Sequence, residues 1–86
     1  MKEKPKTITI KDKPPTYKEL KKMVGGYLEF AYDDGDIQII CNEEGKLKGL
    51  PMNWEATKKW YDLLHTVHSD YLAGDIVMLM GKARLK

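Results

Sequence analysis

One cysteine, one phenylalanine and two histidines are all that 86 residues contain of three reactive or core-forming residue types. A lone Cys41 cannot close an intramolecular disulfide, which excludes a disulfide-stapled secreted scaffold and points to a reducing compartment. Long apolar runs are missing as well: the longest, Ile76 to Met80, falls far short of the ~20 residues that cross a bilayer. The start Met1-Lys2-Glu3-Lys4-Pro5 has no hydrophobic segment of the signal-peptide kind, so the sequence predicts a cytoplasmic protein that meets no membrane. Charge of one sign is also lacking, with 15 basic and 13 acidic residues leaving a net +2. That balance argues against nucleic acid as the partner and equally against an acidic mimic of DNA.

What is present is globular in composition, 42% hydrophobic and 33% charged, enough apolar area to offset the entropy of ordering. A chain this short forms one domain, residues 1–86, and buries only ~60–65% of its unfolded surface. Any small-molecule site is therefore expected in a surface groove or at a subunit contact rather than in an enclosed cavity. Lys2, Lys4, Lys6, Lys11 and Lys13 crowd the start, and Lys82, Arg84 and Lys86 the end. They read as solvated terminal charge or, if both ends converge, as one phosphate-attracting patch.

Thr7-Ile8-Thr9-Ile10-Lys11 alternates polar and apolar side chains, the period of a half-buried strand. Pro14-Pro15 ends it, and Thr16-Tyr17-Lys18-Glu19 has the capping-box spacing that opens a helix over residues 17 to 24, closed by Gly25-Gly26. Tyr27 to Tyr32 and Ile37 to Cys41 are strand-like runs around an Asp-Gly turn signal. An Asp34-Gly35 turn would pair Tyr32 with Ile37, Phe30 with Ile39 and Leu28 with Cys41, placing six apolar side chains on one face. The opposite face would carry Tyr27, Glu29, Ala31, Gln38, Ile40 and Asn42. Asn53 is a candidate N-cap for a helix from Trp54 to about Val67, with Ala56, Trp60, Leu63, Leu64 and Val67 as its core stripe. Ile76 to Met80 reads as a central strand buried on both sides. The sum is an α+β fold in the order β-α-β-β-α-β: about four strands in a mixed or antiparallel sheet, packed with two helices.

Trp54, Thr57, Tyr61, His65 and His68 form a second stripe on that second helix, roughly opposite the core stripe. An indole, a phenol and imidazoles can stack on a nucleobase and bond a ribose or phosphate, but aromatics are also enriched in cores and subunit contacts, and all three readings stand. His65 and His68 sit at i, i+3 with Asp62 a turn earlier; a stable metal site needs three or four ligands, so no metal is expected. No nucleophile-elbow pattern is present, Cys41 reads as a packed hydrophobe, and the carboxylates at Asp33, Asp34, Asp36, Glu43 and Glu44 fall in polar turns. The sequence therefore predicts neither an enzyme nor a cofactor.

Met23-Val24-Gly25-Gly26-Tyr27-Leu28-Glu29, Asn42 through Asn53 (NEEGKLKGLPMN) and Tyr71-Leu72-Ala73-Gly74-Asp75-Ile76-Val77 together resemble a small uncharacterised family found mainly in phages, prophages and mobile elements. The resemblance covers about half the chain. It implies a non-enzymatic accessory protein, and two uses fit that setting. One is sequestration of a nucleotide-derived immune signal, with Tyr27, Asn42, Asn53, Trp54, Tyr61 and His65 as ligand contacts, Lys82 or Arg84 on phosphate, and a homo-oligomeric assembly. The other is inhibition of a host protein of the defence or regulatory machinery through the same aromatic stripe.

Overall fold

The computed structural model describes residues 4–65 and 70–85. Four strands and two helices follow the expected order: β1 (Thr7–Ile10), α1 (Tyr17–Val24), β2 (Leu28–Asp33), β3 (Ile37–Asn42), α2 (Trp54–Leu64) and β4 (Ile76–Met80), with a short 3-10 turn at Gly81–Ala83. They form one mixed sheet in the spatial order β1-β4-β3-β2. β1 runs parallel to β4, and β4–β3 and β3–β2 are antiparallel.

The continuously apolar β4 lies inside this sheet, with Ile76, Val77, Met78 and Leu79 all 3% exposed or less. Successive strand side chains point to opposite faces, so such a run needs cover on both sides. Helix α1 supplies one cover: Leu20 and Val24 pack with Ile40, Val77, Leu79 and Ala83. Helix α2 supplies the other, where Ala56, Trp60 and Leu63 meet Ile39, Cys41, Ile76 and Met78. Each fully buried aliphatic side chain contributes about 1.5–3 kcal/mol, and this two-sided burial is what so short a chain has to stabilise it.

Local chemistry sets both helix starts. Thr16 Oγ1 accepts from Glu19 N–H at 3.1 Å while Glu19 Oε1 accepts from Thr16 N–H at 2.8 Å, the full capping box. Gly25, at φ +81°, closes α1 by donating to Lys21 O, and Gly26 N–H donates to the same carbonyl. Asn53 caps α2. This helix ends earlier than its apolar periodicity suggests, at Leu64, where His65 turns left-handed at φ +58°. Val67 and His68 lie outside the described residues.

The hairpin departs from the expected register. Asp34 Oδ1 accepts from both Asp36 and Ile37 N–H at 2.8 Å, and Asp34 N–H donates to Ile37 O, so the turn falls on Gly35-Asp36. Tyr32 therefore pairs with Ile39, not Ile37. A bulge at Ala31 then shifts the phase once more, and Phe30 meets Ile40 while Leu28 meets Asn42. One extra residue reverses every side chain beyond it. Leu28 accordingly packs under α1, while Ile37, Ile39, Cys41 and Tyr32 keep their expected common face under α2.

Candidate functional site

Three segments far apart in sequence meet at one pole of the sheet: the α1–β2 connection at Gly25–Gly26, the long loop from Asn42 to Asn53, and the approach to β4 at Ala73–Asp75. Asn53 ties them together. Its Oδ1 accepts from Ala56 N–H and the Thr7 hydroxyl, and its Nδ2 donates to Lys6 O and Gly74 O, both at 3.1 Å. Asn42 does similar work one strand away, donating to Val24 O and accepting from Glu44 N–H. The loop between the two asparagines folds on itself through Gly45 N–H to Asn42 O and Leu50 N–H to Gly45 O, then joins β4's approach by Gly74 N–H to Pro51 O.

Between these segments lies an open groove of about 400 Å³ lined by Lys4, Lys6, Lys22, Lys48 and Asp75, with aliphatic walls from Pro5, Met23, Leu50 and Pro51. Among the described residues its single carboxylate is Asp75, one oxygen of which, Oδ1, accepts from Lys6 N–H at 2.8 Å. Among the described residues the one ion pair is Lys46 with Asp70, elsewhere, so none of the four groove ammonium groups is neutralised by a partner. The C-terminal end of α1 adds only about half a unit of negative charge. Four cations against that and one carboxylate leave a groove built to attract an anion.

The residues expected to contact ligand divide among different places. Asn42 lines the groove, and Asn53 lies beneath it with its whole hydrogen-bonding capacity turned inward. Tyr27 stands beside the pole, 61% exposed, with the Lys21 ammonium 4.6 Å above its ring. Trp54, Tyr61 and His65 sit on α2, but the stripe is not a free surface. Thr57 is fully buried and its hydroxyl accepts from Leu72 N–H at 3.0 Å, while the Tyr61 hydroxyl donates to Asp70 O. The stripe thus holds the 70–73 segment against the helix, with Trp54 (52% exposed) and His65 facing solvent. Lys82 and Arg84 follow β4 at the other end of the sheet, about 17 Å from the groove by strand length, and cannot share a phosphate with Asn42. Lys4 and Lys6 therefore share no patch with Lys82 and Arg84, whereas Lys11, beyond the end of β1, lies at the same end of the sheet as those two, its carbonyl oxygen 3.8 Å from where a Gly81 Cβ would stand.

Sequence reasoning missed Lys22 and Lys48 and read Lys4 and Lys6 as solvated terminal charge or as part of a phosphate-attracting patch shared with the other end of the chain. For Lys22 and Lys48 the available signal was position, directly beside or inside one of the three motif segments. A second groove, of about 470 Å³, lies along the β2–β3 side of α2 and reaches Trp60, Tyr71 and Cys41. Burial pushes the Cys41 thiol up to about 11, with Glu29 adding to the effect and Lys46 opposing it, so the thiolate nucleophile is suppressed at neutral pH. Among the described residues no three His, Cys, Asp or Glu side chains are placed to hold a metal, and no helix is long and apolar enough to cross a membrane.

No curated protein and no solved structure matches the chain. The family model of a domain of unknown function, DUF3846, matches residues 1–84, nearly the whole sequence and all three segments that meet at the groove; the chain belongs to that family.

Proposed function

We propose that this domain is a non-enzymatic binding protein that sequesters a phosphate-bearing, nucleotide-derived signalling molecule, in the setting of a phage-type accessory protein acting against host defence. The single observation that supports this reading is the groove with four unpaired lysines and one engaged carboxylate. Its volume lies within the range of small-molecule sites, ~300–1,000 Å³. A binding protein of this kind makes no covalent change to its ligand. Release of the ligand intact is the corollary.

Thermal denaturation against a panel of nucleoside mono- and diphosphates, cyclic dinucleotides and cyclic ADP-ribose isomers tests it. A ligand at a hundred times its Kd stabilises the fold by about 2.7 kcal/mol, which for a domain this size raises Tm by roughly 10 °C or more. The expected result is such a shift with one class, with the compound recovered at unchanged mass after heating. A homo-oligomer, proposed from the same resemblance, is checked by the solution mass measured alongside.

A second reading, inhibition of a host protein, draws on exposed Tyr17, Tyr27, Phe30, Leu47, Met52 and Trp54. It gains if no nucleotide moves Tm and a Trp54→Ala variant loses a host partner while folding normally.

A further inference from the structure

A nucleotide presents a base and a phosphate, and the groove has groups suited to only one of them. Among the described residues no aromatic ring lines it; its apolar wall is Pro5, Met23, Leu50 and Pro51. Tyr27, the ring beside it, has a face already covered by Lys21. Base edges are read by free amides and carboxylates, but Asn42 is committed at both ends to Val24 O and Glu44 N–H, and Asp75 to Lys6 N–H. Apart from the second Asp75 oxygen, the side-chain groups left to face a ligand are the four ammonium groups. A monophosphate, with at most about two charges, matches half of the four.

Lys48 owes its place to Gly26. The φ of Gly26 lies outside the left-handed region, so its backbone does not require glycine. Space does: a Cβ there would stand 2.9 Å from Asn42 Nδ2 and 3.3 Å from Lys48 Nζ. Asn42 is held by two hydrogen bonds and cannot swing aside cheaply, so the Lys48 ammonium, at the end of a flexible side chain, is the group an added Cβ would displace. Gly25, by contrast, has open space around it and a φ of +81°, so its glycine serves the helix end.

Resting on the sequestration reading, we infer that the groove recognises a diphosphate or longer phosphate chain, whatever carries it, and that Gly26 is the positioning residue that seats Lys48 there. Titration calorimetry on the full chain at low salt, with sodium pyrophosphate, ADP, CDP and adenosine, tests this. Pyrophosphate, ADP and CDP are expected to bind within about threefold of one another, and adenosine not at all. Lys48→Met, at an exposed side chain, should weaken all three about tenfold. Gly26→Ala should do the same with an unchanged circular dichroism spectrum, whereas Gly35→Ala, at φ +91° in the hairpin turn away from the groove, should lower Tm and leave affinity alone. If ADP and CDP differ more than tenfold and pyrophosphate fails to bind, the groove reads the base: this inference falls and sequestration stands. If no phosphate compound binds, both fall. Unchanged affinity in Lys48→Met and Gly26→Ala removes the groove and the role of Gly26.

Discussion

Asn53 shows how much one side chain can carry when all its polar atoms are used. It caps α2, holds β1 through the Thr7 hydroxyl and Lys6 O, and holds the approach to β4 through Gly74 O. Truncation loses a cap, about 1 kcal/mol, and strands buried carbonyls at about 1–3 kcal/mol more. Asn53→Ala should therefore destabilise the domain by about 2–4 kcal/mol in urea titrations, a large part of the few kcal/mol that separate folded from unfolded states in a chain this size. Gly74→Ala belongs with it: φ is +79° and the new Cβ would stand 2.8 Å from Leu50 Cδ1, so both backbone and packing oppose the change. The cap at Asn53 was legible from its place before an amphipathic run. Its bonds to Lys6 and Gly74 were not, because both partners come from segments with no periodicity linking them to residue 53. The same holds for Gly26, whose sequence context suggests a helix stop and whose reason is the side chain of Asn42, sixteen positions on, with that of Lys48 beyond it.

At the level of elements, two carboxylates do structural work at turns, and their titration gives it a pH signature. Hydrogen bonds from Thr16, backbone first and then side chain, hold Glu19 below its ordinary 4.5, and the Ile37 and Asp36 amides, then the Tyr32 hydroxyl, hold Asp34 below its ordinary 3.8. On acidification the unfolded chain takes up these protons first, so their stabilisation is complete above about pH 4.5 and is lost as pH falls through the lower folded values. A Glu19→Gln, Asp34→Asn double variant should show a flatter decline of urea midpoint between pH 5 and 2 than the wild type; an identical decline would contradict the assignment. Thr57 is tested differently. Thr57→Val keeps the shape but leaves buried Leu72 N–H without its acceptor, at about 1–3 kcal/mol, and should raise amide exchange at Leu72 and Ala73 ahead of the sheet. The four strands and two helices were legible from periodicity, caps and turn residues, and the turn signal was right in kind. The register was not, since the Asp34 side chain moved the turn by one residue and the Ala31 bulge, which leaves no trace in an alternating pattern, moved the rest.

On the scale of the whole molecule, the two-faced sheet decides what is hidden and what is offered. Cys41 lies beneath α2 with its thiol pushed up to about 11, so a thiol reagent at pH 7.5 should label the native protein only at the rate of opening and the urea-unfolded chain at once. The groove is the opposite case, formed at the surface only because β1, α1, β3 and β4 bring their connections to one pole. No window of sequence contains it: Lys6, Lys22 and Lys48 read singly as ordinary solvated charge, and only the topology makes them neighbours. The most direct measurement is a nitrogen-15 amide titration of the full chain with sodium pyrophosphate, followed by NMR. Saturable shifts at Lys6, Gly25, Gly26, Lys48 and Gly74, with Gly81 to Leu85 unmoved, are the expected result. Shifts centred on Lys82 and Arg84, or none at any amide, would contradict the claim that this pole is the binding site.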